Sequence, residues 1–252
     1  MTMTILLLPG LASDGTLWRA QVPALRRHGR VHVSDVHARC TALPEMAATL
    51  LAEHDGPLVL VGTSMGGILA LEVWQQAPQR VLAMALLGST ARADPPEMIK
   101  LRCNAIELIE QGRMDELLRA NVPFALHPRH ARDPALVADY LAMVQRAGAD
   151  QLVRQNRAIM ARPDRRPQLP LVRCPVLVAC GADDLLTPPE QSEEIAHAVP
   201  GARLEVLHEC GHLLTLEQPE RVNALLDQWL TGPVAAACAQ TGPGSHRGPP
   251  HP

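Results

Sequence analysis

Short aliphatic runs alternate along this chain with longer stretches whose apolar residues recur every three to four positions. The short runs are Ile5 to Leu8, Val31 to Ser34, Leu58 to Val61, Ala83 to Leu87, Val176 to Cys180 and Arg203 to Leu207. They predict strands of a parallel sheet whose faces are covered by helices. The helical stretches between them run roughly from Leu17 to Arg26, Leu43 to His54, Met65 to Ala77, Glu190 to Ala198 and Pro219 to Leu230. Pro78 closes the third of these and Pro200-Gly201 the fourth, because neither proline nor a following glycine continues a helix.

The alternation stops after Gly88. From about Asp94 to Arg162 only helical periodicity remains, in Pro95 to Glu110, Met114 to Ala120, Pro134 to Ala147 and Asp150 to Ala161, punctuated by Pro123, Pro128 and Pro163. The expected architecture is therefore α/β, a mostly parallel six-stranded sheet flanked by helices, with an inserted all-helical cap over the strand ends. Residues 1–88 and 173–231 form the expected core, residues 89–172 the cap insertion, and residues 232–252 a disordered tail. That tail is crowded with Gly, Pro, Ala and His and lacks the periodic apolar residues that would offset chain entropy.

Composition narrows the chemistry. Of the 252 residues 47% are hydrophobic but only 2% aromatic, so any pocket is walled by aliphatic and thioether side chains, and a base-stacking surface for nucleic acid is not expected. A formal net charge of −3 names no polyanionic partner. The opening segment is broken by Pro9-Gly10 before it reaches signal-peptide length, and no apolar run approaches a membrane span, so a soluble, cytoplasmic protein is expected. Cys40, Cys103, Cys174, Cys180, Cys210 and Cys238 are scattered without Cys-x-x-Cys spacing and read as reduced thiols. Neither they nor the trio His28, His32 and His37 suggest a metal site, and no cofactor is called for.

One motif carries chemistry. Gly62-Thr63-Ser64-Met65-Gly66 directly follows a predicted strand and opens a predicted helix, the setting in which Gly-x-Ser-x-Gly presents a nucleophile. A serine on so tight a turn is held in strained backbone geometry, and its glycine neighbours let strand and helix approach. The same placement leaves the Met65 amide free to donate to a developing oxyanion. A serine hydroxyl needs a base. His212, in Gly211-His212-Leu213-Leu214, follows the last predicted strand and precedes the last helix, where it can turn over Ser64. The carboxylate that would fix its tautomer is expected on the loop after the preceding strand, where Asp183 and Asp184 are both candidates.

With these parts in place, residues 4 to 230 resemble the α/β-hydrolase superfamily. The resemblance rests on the elbow at Ser64, on Leu6-Leu7-Leu8-Pro9-Gly10-Leu11, on Ala77-Pro78-Gln79-Arg80-Val81, and on Gly211-His212 followed by Glu217-Gln218-Pro219-Glu220. Its Gly-x-x-Asp-x-x-x-Pro pattern falls on Gly181, Asp184 and Pro188, which implies Asp184 as the triad acid, and the order Ser64, Asp184, His212 agrees with the family. It also implies the backbone amides of Leu11 and Met65 as oxyanion donors. Two departures stand out: Pro9-Gly10 replaces the common His-Gly, removing a side chain that braces the loop, and two initial strands of many relatives are missing.

The implied activity is serine-dependent hydrolysis of a small-molecule carboxylic ester, with lactone, thioester or carbon-carbon bond hydrolysis on the same triad as alternatives. A ligand-binding or signalling protein on the same scaffold is the alternative of another class. Phe124, Met143 and Met160 are candidate pocket residues, although packing within the cap is the favoured role for them. Arg154, Arg157, Arg162, Arg165 and Arg166 crowd the end of the cap; an acidic carrier protein or a carboxylate-bearing substrate would use such a patch, whereas a solvated helix face is the favoured reading.

Overall fold

The computed structural model describes residues 3–240. Six strands, β1 (Thr4–Leu8), β2 (Arg30–Val33), β3 (Leu58–Thr63), β4 (Val81–Leu87), β5 (Val176–Gly181) and β6 (Arg203–Leu207), form one parallel sheet in the order β2-β1-β3-β4-β5-β6. The core helices are α1 (Gln21–Leu25), α2 (Val36–Arg39), α3 (Leu43–Glu53), α4 (Met65–Gln76), α8 (Pro189–Ala198), α9 (Leu214–Glu217), α10 (Pro219–Trp229) and α11 (Ala235–Gln240). The cap helices α5 (Pro96–Glu110), α6 (Met114–Ala125) and α7 (Pro134–Met160) lie between β4 and β5.

Strand periodicity of two divides the core cleanly. Ile5, Leu7, Val59, Val61, Ala83 and Ala85 point to one face, where they join Trp18, Trp229 and the apolar cap residues. Leu6, Leu8, Leu58, Leu60, Met84 and Leu86 point to the other, against α3, α4 and α8. The central strands are buried on both faces, which is why their sequences read as continuous apolar runs. α10 supplies a narrower stripe, Val222, Leu225, Leu226 and Trp229, at the spacing of one helix face.

Several expected boundaries are corrected. The stretch Leu17 to Arg26 splits into a 3-10 turn, Gly15–Trp18, capped by Asp14, and the short helix α1. Pro23 explains the restart: beginning at Gln21 puts the proline in a first turn, where no intrahelical N–H is required. α6 runs past Pro123 to Ala125, since the proline lies within the last turn and Leu118, Val122 and Ala125 continue the buried face. The break expected between Ala147 and Asp150 is present, since Gly148, at φ 77°, interrupts α7 there. Residues 231–240 are not disordered: a π-helical turn, Leu230–Val234, docks Leu230 and Val234 into the core and leads into the alanine-rich α11. The rest of the expected tail lies outside the described residues. Among the described residues no helix is long and apolar enough to cross a membrane.

Candidate active site

The chain leaves β1 toward β2 on one side and returns to β3 on the other, so the connections after β1 and β3 diverge above adjacent strand ends. A crevice opens at such a switch point. Register places Leu8 beside Gly62, which starts the Pro9-Gly10-Leu11 loop and the Ser64 turn next to each other. Ser64 has φ 50° and ψ −117°, a left-handed conformation that a side-chain-bearing residue adopts only under constraint. The constraint is visible: its amide donates to Leu87 O at 2.9 Å, and its carbonyl accepts from Ser89 Oγ at 2.8 Å and from the Gly67 and Ile68 amides that open α4. A Cβ on residue 62 would lie 2.2 Å from Gly66 O, and one on residue 66 would lie 1.9 Å from Leu8 O. Both glycines are thus sterically required.

The structure separates the two acidic candidates. Asp184 is buried, and its Oδ2 lies 2.8 Å from His212 Nδ1. Its carboxylate also accepts from the Leu186 and Thr187 amides, each at 2.9 Å, and from Thr187 Oγ1 at 2.9 Å. Asp183 instead turns outward, 3.6 Å from His127 Nε2. Burial opposes ionisation of Asp184, but the charge and hydrogen bond of His212 and the donors of Thr187 outweigh it and hold the carboxyl below its ordinary value. Burial likewise opposes protonation of His212, yet the charge and hydrogen bond of Asp184, with the charge of Glu217, hold the ring above the ordinary 6.5.

Ser64, Met65, Leu11 and His212 line one cavity of about 640 Å³ beneath the cap. No hydrogen bond from the Leu11 or Met65 amide to a protein acceptor occurs among the described residues. The loop carrying Leu11 is braced in spite of Pro9-Gly10. Gln155, fully buried on α7, accepts from the Ala12 amide at 2.6 Å and donates to His37 O at 2.9 Å, tying the loop to α2. A second brace holds the histidine loop. Glu217 accepts at 3.1 Å from the Gly211 and Leu213 amides that flank His212, and at 2.9 Å from the His127 amide of the cap; His130 Nδ1 lies 2.8 Å away. Neither brace was assigned a role from the sequence. Gln155 has no local signal at all, and Glu217 stood only in the segment that resembles the family's last helix.

Of the candidate pocket residues, Phe124 lines the cavity, whereas Met143 and Met160 do not. Helix phase decides this: Tyr140, Val144, Leu152, Asn156 and Ile159 take the cavity-facing positions of α7, leaving Met143 in the apolar core and Met160 near Cys103 Sγ. The arginine-rich end of the cap is no free cationic surface. Arg154 donates to Ala38 O, while Arg157, Arg162, Arg165 and Arg166 pair with Glu110, Asp94, Glu72 and Asp164. Arg162 alone of the five lines the cavity.

Comparison with known proteins follows the same outline. The model described as the alpha/beta hydrolase family matches residues 5–225. RutD of Escherichia coli strain SMS-3-5 / SECEC, which bears the name of a carbamate hydrolase, is 27% identical over 241 residues, covering 88% of this chain and 87% of its own. A thermophilic esterase from Thermogutta terrifontis, solved with malate bound, superposes with a TM-score of 0.83 at 28% identity, over 91% of this chain and 89% of its own. The enol-lactonase from Burkholderia xenovorans LB400 gives a TM-score of 0.83 at 25% identity, over 92% of each chain.

Proposed function

Because the chain belongs to the alpha/beta hydrolase family, we propose that it is a serine hydrolase that cleaves a carboxylic ester through an acyl-enzyme on Ser64. The observation that carries this reading is the buried pair of Asp184 and His212, whose ring lines the same cavity as the constrained Ser64. The names of the relatives, an esterase, an enol-lactonase and a carbamate hydrolase, all describe attack on an acyl carbon that bears a heteroatom leaving group.

The proposed steps start from the hydrogen bond between Asp184 and His212 and from the shared cavity of His212 and Ser64. Asp184 accepts from Nδ1–H, so the lone pair of His212 sits on Nε2. Nε2 takes the Ser64 hydroxyl proton as Oγ adds to the ester carbonyl carbon, and the carbonyl electron pair moves to oxygen. The Leu11 and Met65 amides stabilise that oxyanion, each by roughly 3 kcal/mol. Collapse breaks the bond to the leaving alkoxide, which departs as alcohol with the proton from Nε2. Water then adds to the acyl-enzyme with the same base, and the carboxylic acid leaves as Ser64 regains its proton. A lactone follows the same steps with its leaving group still attached.

Labelling with a fluorophosphonate, with the adduct located by mass spectrometry, tests the assignment alongside a Ser64→Ala variant. The expected result is an adduct on Ser64 and a loss of at least about 10³-fold in aryl-ester turnover on substitution. An adduct elsewhere, or turnover retained in Ser64→Ala, refutes it. A binding protein on this scaffold would keep its ligand affinity and show no turnover to lose.

A further inference from the structure

The wall of the cavity is mainly apolar, and at one corner two guanidinium groups share one carboxylate, while the third arginine of the lining, Arg92, pairs with Glu194. Asp94, its side chain 2% exposed, accepts from Arg162 Nη2 at 2.6 Å on one oxygen and from Arg102 Nε at 2.7 Å on the other. All three residues line the cavity that holds Ser64 and His212.

The two arginines are differently placed. Arg162 spends its whole fork on the protein: Nε donates to Arg92 O, Nη1 to Ile159 O and Nη2 to Asp94. Because Asp94 precedes the first cap helix and Arg162 follows the last, their bond clasps the two ends of the cap together. Arg102, on α5, is held in place by two bonds, Nε to Asp94 and Nη1 to Asn156 Oδ1 at 3.0 Å, while its Nη2 has no hydrogen-bond partner among the described residues. Its side chain is 22% exposed.

The charge at this corner is incompletely matched. Burial opposes the charged form of Arg162, and the neighbouring Arg102 opposes it further, against the pairing with Asp94; the net result holds Arg162 below its ordinary value. Asp94 is the one acidic residue lining the cavity among the described residues, and both of its oxygens are already engaged. Arg102 keeps an unpartnered Nη2 beside this two-to-one cluster, and a guanidinium already fixed by two bonds loses little freedom on accepting a planar carboxylate.

We propose that Arg102 is a specificity residue that receives a carboxylate on the substrate, so that the preferred substrates are esters carrying an anionic group away from the scissile bond. Aliphatic neighbours such as Leu117, Leu118 and Ile159 would pack the carbon chain between the two ends. This assignment rests on the ester-hydrolase reading given above for the substrate's other end, but not for the anion site itself.

The test compares mono-4-nitrophenyl adipate with 4-nitrophenyl hexanoate, two esters of equal chain length that differ in a terminal carboxylate. The wild-type enzyme is expected to favour the adipate ester in kcat/KM by at least about 10-fold, Arg102→Met to abolish that preference, and Arg102→Lys to retain part of it. Calorimetric titration with monomethyl adipate, done in the Ser64→Ala background so that the ester is not cleaved, should show at least about 10-fold weaker binding when Arg102→Met is added. A wild-type preference at or below one overturns the proposal without any variant having to fold, as does a variant that lowers both esters equally. The two readings fail separately. Ser64 labelling without carboxylate preference defeats the anion site alone, and Arg102-dependent binding of monomethyl adipate without labelling of Ser64 defeats the hydrolase alone.

Discussion

Glu217→Gln is the most informative perturbation of the site, because it removes a charge while nearly preserving shape. The carboxylate side chain is fully shielded from solvent. In the variant, the remaining oxygen can stay where Oε1 is, keeping the Gly211 and Leu213 amides at 3.1 Å and thus the backbone on both sides of His212. The new amide group then replaces Oε2, where it can donate to His130 Nδ1 but faces the His127 amide and leaves that donor without an acceptor. One buried orphan of this kind costs about 1–3 kcal/mol. For a chain of this length the melting temperature should fall by roughly 2–12 °C. Since the bonds flanking His212 survive, the plateau rate should fall by less than about 10²-fold, the loss associated with a misplacement of an ångström.

The decisive readout is the pH profile, which packing alone would not move. As the proposed base, His212 acts when neutral, and it is held above 6.5, so wild-type kcat/KM should be fully present at high pH and lost as pH falls through a midpoint above 6.5. That midpoint is higher than an unperturbed histidine would give. The charge of Glu217 is one of the causes that favour the imidazolium, so its removal lowers the histidine value and moves the acid limb to lower pH. Measuring aryl-ester kcat/KM from about pH 5 to 9 for both proteins checks the sign. A limb that stays in place, or moves to higher pH, refutes the electrostatic role given to Glu217.

Two further substitutions probe the remaining parts. Gln155→Leu strips the Ala12 amide of its 2.6 Å acceptor and frees the loop that carries Leu11. Steady-state kinetics should show kcat falling by about 10- to 100-fold with KM little changed, less than the 10²–10³ lost with an oxyanion donor itself; a rise in KM at constant kcat would refute the positioning role. Asp184→Asn should cost on the order of 10⁴-fold in kcat by presenting the wrong partner to Nδ1, while Asp183→Asn stays within about threefold, and equal losses in the two variants would undo the choice between them.

What was readable in the sequence is what steric or periodic necessity writes locally. Gly62 and Gly66 had to be glycine because Gly66 O and Leu8 O occupy the space of a Cβ, and that requirement surfaces as a five-residue motif between an aliphatic strand and a helix. All six strands were legible: β1, β3, β4 and β5 as buried aliphatic runs, and the edge strands β2 and β6 as short runs that are only half-buried. Met143 and Met160 misled because residue type was weighed without helix phase, and Gly148 resets that phase within α7. The tail was misread because Val234, which docks its start into the core, is a single apolar residue among Gly, Pro and Ala.

Gln155 and Glu217 were silent for a deeper reason: each acts across a long sequence interval, 143 residues to Ala12 and 90 to His127, and a single buried polar residue leaves no periodic trace. Their placement has a common consequence. The Leu11 loop is tied to the cap through Gln155, and the His212 loop through Glu217 and through its own amide, which donates to Ala125 O at 3.1 Å. Swinging the cap outward as a rigid body would break all three contacts and strand buried polar groups, at about 1–3 kcal/mol for each group left unsatisfied. The cap is therefore part of what sets the geometry of the loops that carry Leu11 and His212, as well as the roof of the cavity.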